Sequence, residues 1–284
     1  MALPYRERYL TAQDGLRLYY RDYGDRRSAR TPVLCLTGLT RNSRDFADLA
    51  LRLAPQRRVL CPDYRGRGRS QYDPNWRNYD PMVYLNDIGH LLSANDLHRV
   101  VVIGTSLGGL LGMGLAVLRP TAVAGIVLND IGPDIESTGL GRILDFIGKD
   151  HPQPDWPTAV AALRASLPRL ASKDDDWWER FARATYRESE DGILHYDWDV
   201  ALARPLLRAN GRVQDLWPPF RGVRDLPTLV VRGAISDVLS EAGLRRMAEA
   251  KPDLIHVTVP AVGHVPSLDE PEVQGVLDDF IARF

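Results

Sequence analysis

Short apolar runs alternate with longer amphipathic stretches along most of this 284-residue chain. Candidate strands lie at 17–20, 33–36, 59–61, 100–103, 126–128, 228–231 and 255–259, and runs such as 33–36 and 59–61 are short and apolar, as expected for strands buried on both faces. Helical periodicity covers roughly 43–54, 81–96, 107–118, 240–250 and 270–283. Strands that alternate with helices are typical of a parallel sheet covered on both faces. The pattern therefore predicts an α/β fold with a mostly parallel, doubly wound sheet.

The alternation stops between about Pro133 and Pro219, where no apolar run typical of a buried strand occurs. We therefore predict a core domain formed by residues 1–132 and 220–284, with residues 133–219 inserted as a mostly helical cap. The cap segment carries five of the six tryptophans, namely Trp156, Trp177, Trp178, Trp198 and Trp217. Each tryptophan can fill the small core of the cap, and the five together can line an apolar substrate pocket.

Composition and charge exclude several classes of protein. Hydrophobic residues make up 44% and charged residues 26% of the chain, as in ordinary globular proteins, and the formal net charge is −1. We therefore expect no nucleic-acid partner and no membrane partner. The first residues lack an apolar signal stretch, so we expect a cytoplasmic protein. We expect the chain to act as a monomer or a homodimer. Cys35 and Cys61 are interpreted as small core residues, and a bridge between them stays open.

A glycine-flanked serine gives the strongest chemical signal. Gly104-Thr105-Ser106-Leu107-Gly108 follows an apolar strand and opens a helix, which is the pattern of a nucleophile elbow. The two glycines remove side chains that would collide across a very tight turn, and the strained turn exposes the serine hydroxyl. The N-terminus of the following helix directs backbone amides toward this point. We predict Ser106 as a nucleophile.

His264 is the candidate general base. It lies in a loop between the last predicted strand and the last helix, beside Gly263, at the sheet edge that also carries Ser106. A carboxylate is then needed to hold the histidine in the correct tautomer. Asp237 follows the penultimate strand and gives the chain order Ser, Asp, His, whereas Asp130 at the end of the preceding strand is the alternative. We favour Asp237 over Asp130.

These motifs together resemble the α/β-hydrolase superfamily, in its capped esterase, lactonase and C–C-bond hydrolase branch. Residues 62–70 resemble the Asp-x-Arg-Gly-x-Gly-x-Ser loop of that family, which is structural there. After the third strand the family carries a His-Gly pair, and this chain has Thr37-Gly38. The resemblance implies that the backbone amides of Leu39 and Leu107 form the oxyanion hole. A serine nucleophile argues against haloalkane dehalogenases and epoxide hydrolases.

The resemblance implies a serine hydrolase that cleaves an ester or lactone of a small, rather apolar molecule through an acyl-enzyme on Ser106. C–C-bond hydrolases and enol-lactonases of aromatic degradation use the same three residue types, and a small-ligand receptor on this fold is a further alternative. Arg41 can meet a substrate carboxylate near the oxyanion loop or form a surface ion pair. The sequence has no zinc or phosphate-binding motif, so we expect no metal and no cofactor.

Overall fold

The computed structural model of the protein describes residues 4–136, 141, 146–167, 174–208 and 215–284. The described residues form ten strands: β1 (Arg6–Thr11), β2 (Arg17–Tyr23), β3 (Val33–Leu36), β4 (Val59–Pro62), β5 (Val100–Thr105), β6 (Val123–Asn129), β7 (Tyr186–Glu188), β8 (Leu194–Tyr196), β9 (Thr228–Gly233) and β10 (Ile255–Val259). Eight of them form one sheet in the order β1-β2-β4-β3-β5-β6-β9-β10. Strand β2 pairs antiparallel with β1 and β4, and the other pairs are parallel. The predicted α/β fold with a mostly parallel sheet is confirmed.

Helices cover both faces of this sheet. They are α1 (Ala47–Leu53), α2 (Pro81–Ala94), α3 (Leu107–Leu118), α4 (Trp156–Ser166), α5 (Asp175–Thr185), α6 (Ala203–Arg208), α7 (Trp217–Gly222), α8 (Glu241–Ala250) and α9 (Pro271–Ile281). One apolar layer contains side chains of α1 and α9, and the opposite layer contains side chains of α2, α3 and α8. The doubly wound arrangement follows, because each face of the sheet packs against its own set of helices.

The central strands are buried on both faces of the sheet. All four residues of β3 and all four of β4 are buried, as the unbroken apolar runs predict. Cys35 and Cys61 lie on these neighbouring strands as free, fully buried thiols. Their interpretation as core residues is confirmed.

Local sequence also sets where the helices begin. Asp80 accepts a hydrogen bond from the Met82 amide, and Pro81 occupies the first turn of α2. Ser240 caps α8 in the same way through the Gly243 amide. Such caps satisfy backbone donors that the helix itself leaves unpaired.

None of the helices in the described ranges is long and apolar enough to cross a membrane.

The chain leaves the sheet after β6 and returns to it at β9. In between, α4 packs against α5, and β7 and β8 form a separate two-stranded antiparallel hairpin. The hairpin was not predicted, because strands of three residues are too short to give a periodic signal. The predicted cap at 133–219 also includes 137–140, 142–145, 168–173 and 209–214, which lie outside the described residues. Helix α7 spans the predicted boundary at 219 and packs against α3, so the cap limits stay a prediction.

Candidate active site

Ser106 occupies a strained turn between β5 and α3. Its backbone has φ 51° and ψ −117°, a conformation that residues other than glycine rarely adopt. The Ser106 amide donates to the Asn129 carbonyl at 3.0 Å, which ties the turn to the end of β6. A Cβ atom at Gly104 would overlap the Gly108 backbone, and one at Gly108 would overlap the Leu36 carbonyl. The tight, glycine-dependent elbow predicted from the sequence is present.

His264 connects the serine to a buried carboxylate. Its Nε2 atom lies 3.2 Å from Ser106 Oγ, and its Nδ1 atom lies 2.7 Å from Asp130 Oδ2. The histidine side chain is 10% exposed and the aspartate is fully buried. A ring held at Nδ1 by a carboxylate has its Nε2 free to take the proton of the serine hydroxyl. This is the geometry of a nucleophile, a base and an orienting acid.

The acid beside His264 is Asp130, and the prediction of Asp237 is corrected on this point. Asp130 directly follows β6, where its backbone takes φ 56°. Its Oδ1 accepts from the Gly233 amide at 2.9 Å, and its Oδ2 also accepts from Ser236 Oγ at 2.6 Å. Asp237 is half-buried and directly follows Ser236 in the loop after β9. Because β6 and β9 are adjacent parallel strands, both loops reach the same sheet edge, and the β9 loop supplies hydrogen-bond donors to the acid.

Two backbone amides beside the serine have no acceptor within the described part of the chain. They belong to Leu39, in the loop after β3, and Leu107, the first residue of α3. Leu39 lines the same cavity as Ser106. Amides without a protein acceptor are available to an oxyanion. Their role as the oxyanion hole stays a prediction.

A cavity of about 260 Å³ adjoins Ser106 and His264. Its apolar wall includes Leu39, Phe46, Ile147, Trp177, Phe181 and Leu268. Five charged side chains also line it, namely Arg41, Arg44, Asp45, Asp48 and Arg180. Core and cap residues both contribute, so the cavity lies between the sheet edge and the cap. Phe181 and Phe46 belong to no recognisable motif, so they could not be identified from the sequence.

The tryptophans of the cap have different environments. Trp177 lines the cavity and stacks on Phe181, with ring centroids 4.8 Å apart. Trp178 and Trp198 are buried in the apolar core, which is the first of the two roles considered for them. Trp156 packs at the edge of that core, and Trp217 donates from Nε1 to Asp134. Among the described residues that line the cavity, Trp177 is therefore the one tryptophan of the predicted five.

Arg41 lines the cavity and is also held in an ion pair. Its guanidinium makes two hydrogen bonds to Asp45, at 2.6 and 2.7 Å, and donates to Thr185 Oγ1 on the cap. It also lies 4.2 Å from the centroid of the Phe181 ring. The ion pair that was one of its two predicted roles is thus present, with Asp45 as the partner.

A second charged cluster joins the cap to the core. Arg44 pairs with Asp197, which follows β8, and Asn42 Nδ2 donates to the carbonyl of Ala184. Burial raises the pKa of Asp197 to about 6, against the opposing effect of the Arg44 charge. Burial also raises the pKa of the neighbouring Asp63. The contact between cap and core therefore contains carboxylates that are costly to ionise.

No cluster of three or more His, Cys, Asp or Glu side chains suited to a metal ion occurs in the described ranges. The arrangement of Ser106, His264 and Asp130 can support nucleophilic acyl transfer.

Comparisons with known proteins identify the family of this chain. The profile of the alpha/beta hydrolase family matches residues 33–274. The crystal structure of an alpha/beta hydrolase from Novosphingobium aromaticivorans is similar over 100% of both chains, with 42% identity and a TM-score of 0.94. The 3-hydroxybutyrate-oligomer hydrolase of Cupriavidus necator is 32% identical over 93% of this chain and 92% of that protein. The 2-(acetamidomethylene)succinate hydrolase of Mesorhizobium japonicum is 29% identical over 85% of this chain and 84% of that protein.

Proposed function

This chain belongs to the alpha/beta hydrolase family, and we propose that it hydrolyses carboxylic esters through an acyl-enzyme on Ser106. The observation that carries the proposal is the position of His264 between Ser106 and Asp130, with contacts of 3.2 and 2.7 Å. A serine on a strained elbow, a histidine within hydrogen-bond reach and a buried carboxylate are the parts that nucleophilic acyl transfer requires.

The first half of the reaction forms the acyl-enzyme. Ser106 Oγ attacks the ester carbonyl while His264 Nε2 takes the hydroxyl proton. Asp130 keeps the remaining proton on Nδ1 and stabilises the imidazolium that forms. The amides of Leu39 and Leu107 donate to the oxyanion. The tetrahedral intermediate then collapses, and the alcohol leaves with the proton from His264.

The second half returns the enzyme to its starting state. His264 takes a proton from a water molecule, and the hydroxide attacks the acyl carbonyl. The same two amides hold the second oxyanion. When that intermediate collapses, the bond to Ser106 Oγ breaks, His264 returns its proton to Oγ, and the carboxylic acid is released. Every proton passes through His264 Nε2, so no further acid or base is needed.

The cavity and one relative indicate the substrate class. A cavity of about 260 Å³ with an apolar wall fits a small ester with a short acyl chain. The similarity to a protein named 3-hydroxybutyrate-oligomer hydrolase supports esters of short hydroxy acids as the first natural class to test.

The deciding experiment compares the wild type with Ser106→Ala on p-nitrophenyl esters from acetate to dodecanoate and on dimers and trimers of 3-hydroxybutyrate. We expect kcat of the variant to fall by at least about 10³-fold, because the nucleophile is removed while the elbow keeps its Cβ. Ser106→Gly is the matched control, since it also lacks the hydroxyl and relieves the backbone strain at φ 51°. Equal turnover in all three proteins would refute the proposal.

A second candidate is hydrolysis of a bond other than an ester, a class that includes C–C bonds, by the same three residues. It is supported by the similarity to 2-(acetamidomethylene)succinate hydrolase, whose named substrate contains an acetamido group and no ester or lactone. Consumption of that compound by the wild type but not by Ser106→Ala, together with no turnover of any ester, would support this candidate over ester hydrolysis.

A further inference from the structure

Arg67 is a completely buried cation next to the oxyanion loop. It lies in the loop after β4, and its side chain has no solvent exposure. Nε donates to the carbonyl of Leu39 at 2.6 Å, and Nη1 donates to the carbonyl of Arg65 and to Tyr84 Oη. Its Nη2 atom is buried without a hydrogen-bond partner among the described residues. The guanidinium also lies 4.8 Å from the centroid of the Tyr84 ring.

The partners of Arg67 are neutral, unlike those of its neighbour. Arg65, two residues earlier and equally buried, forms ion pairs with Asp14, Asp73 and Asp87. No ion pair of Arg67 occurs within the described part of the chain. Burying a charge without a counterion is costly, and here carbonyl dipoles and aromatic rings provide the compensation. Position 67 is also one of the variable positions in the Asp-x-Arg-Gly-x-Gly-x-Ser pattern, so the loop itself does not require an arginine.

We propose that Arg67 is a positioning residue for the oxyanion hole, which rests on the proposed serine hydrolase function. Its hydrogen bond to the Leu39 carbonyl fixes the orientation of that residue and thereby the direction of the Leu39 amide. Its charge contacts the carbonyl of Leu39, the residue whose amide would donate to the negative charge that develops in the transition state. A fixed donor and a fixed charge both favour the oxyanion over the neutral ester.

The backbone of Arg67 is anchored from the other side by the cap. It forms an isolated β-bridge with Trp198, and the flanking Gly68 amide donates to the Asp197 carbonyl at 3.0 Å. The Asp199 amide donates to the Gly66 carbonyl at 2.8 Å. Arg67 is therefore held at its backbone by residues 197–199 and at its guanidinium by Leu39, and it connects the cap rigidly to the Leu39 loop.

The test compares Arg67→Met and Arg67→Lys with Arg65→Lys, the matched loss of a buried guanidinium from the same loop. Four quantities are measured: kcat and KM on p-nitrophenyl butyrate, the melting temperature, and the inhibition constant of 2-phenylethylboronic acid, which forms a tetrahedral adduct with an active-site serine. We expect Arg67→Met to lower kcat and to weaken boronate binding, each by about 10- to 100-fold, with KM nearly unchanged. Arg67→Lys should keep more of the wild-type kcat and boronate affinity than Arg67→Met does.

Arg65→Lys is expected to lower the melting temperature while kcat per folded enzyme and boronate affinity stay at the wild-type values. Equal losses of kcat in Arg65→Lys and Arg67→Lys would show that Arg67 is only structural, and wild-type kcat and boronate affinity in Arg67→Met would also overturn the inference. Failure of the proposed function gives a different result, because the wild type would then show no turnover that depends on Ser106.

Discussion

Asp130 Oδ2 lies 2.7 Å from His264 Nδ1 although 134 positions separate the two residues in the chain. The carboxylate comes from the end of β6 and the histidine from the loop after β10. The loop after β9 lies between them in the sheet and contributes the Gly233 amide and the Ser236 hydroxyl to Asp130. The acid is thus oriented by a neighbouring loop as well as by its own strand, and three parallel strand ends together hold the histidine.

Replacing the two candidate acids separately tests this assignment. We expect Asp130→Asn to lower kcat by about 10³- to 10⁴-fold, because an amide stabilises the wrong histidine tautomer and cannot balance the imidazolium. Asp237→Asn should leave kcat close to the wild-type value. Steady-state kinetics with p-nitrophenyl butyrate and circular dichroism of both variants provide the measurement. A large loss in Asp237→Asn alone would restore the original prediction.

The hydroxyl of Ser236 should contribute to catalysis through Asp130. Losing a hydrogen bond to a carboxylate costs roughly 1.5 kcal/mol, so Ser236→Ala is expected to lower kcat about 10-fold. Ser240→Ala is the control, because Ser240 caps α8 in the same loop region and its loss costs about 1 kcal/mol of stability. Kinetics and denaturant unfolding of both variants separate the two effects. The same kcat in both variants would argue against a role of Ser236 in orienting the acid.

Adjacent tryptophans of the cap should give opposite phenotypes. Trp177 lines the cavity and is half-buried, so Trp177→Ala should move the preferred p-nitrophenyl ester toward longer chains. Trp178 is 1% exposed in the apolar core, so Trp178→Ala should cost about 3–5 kcal/mol of stability without a change in chain-length preference. The ester series and urea unfolding measure these outcomes. An unchanged chain-length profile in Trp177→Ala would exclude this wall from acyl-chain binding.

Asp197 should make stability depend on pH between about 4 and 6. Burial raises its pKa in the folded state to about 6 from 3.8, so the folded protein holds this proton more tightly than the unfolded chain does. Its contribution to stability is then greatest below pH 3.8, falls as pH rises to 6 and is constant above that value.

The change across this range is at most about 3 kcal/mol for one carboxyl group with this shift. Urea unfolding of the wild type and Asp197→Asn at several pH values between 4 and 8 measures it. We expect the unfolding free energy of the wild type, minus that of the variant, to decrease up to pH 6 and then level off. A difference that is independent of pH would show that the pKa of Asp197 is not raised.

Features that depend on neighbouring residues in the chain could be predicted from the amino-acid sequence. The elbow at Ser106 follows from local sterics, because Gly104 and Gly108 lie within two positions of the serine and only small residues fit the turn. The central strands could be predicted for a similar reason, since burial on both faces requires an unbroken apolar run. His264 could be placed because its loop follows the last strand, where parallel strand ends share one edge.

Which side chains meet across that edge depends on how distant parts of the chain pack together. Asp130 and Asp237 both follow parallel strands and both fit the chain order, so their sequence positions do not distinguish them. The choice depends on the pairing of β6 with β9 and on the direction of each loop, which bring Ser236 and the Gly233 amide to Asp130. Trp177 and Trp178 likewise differ only in the face of α5 that each occupies. Packing between elements far apart in the chain sets these contacts, and no local pattern encodes them.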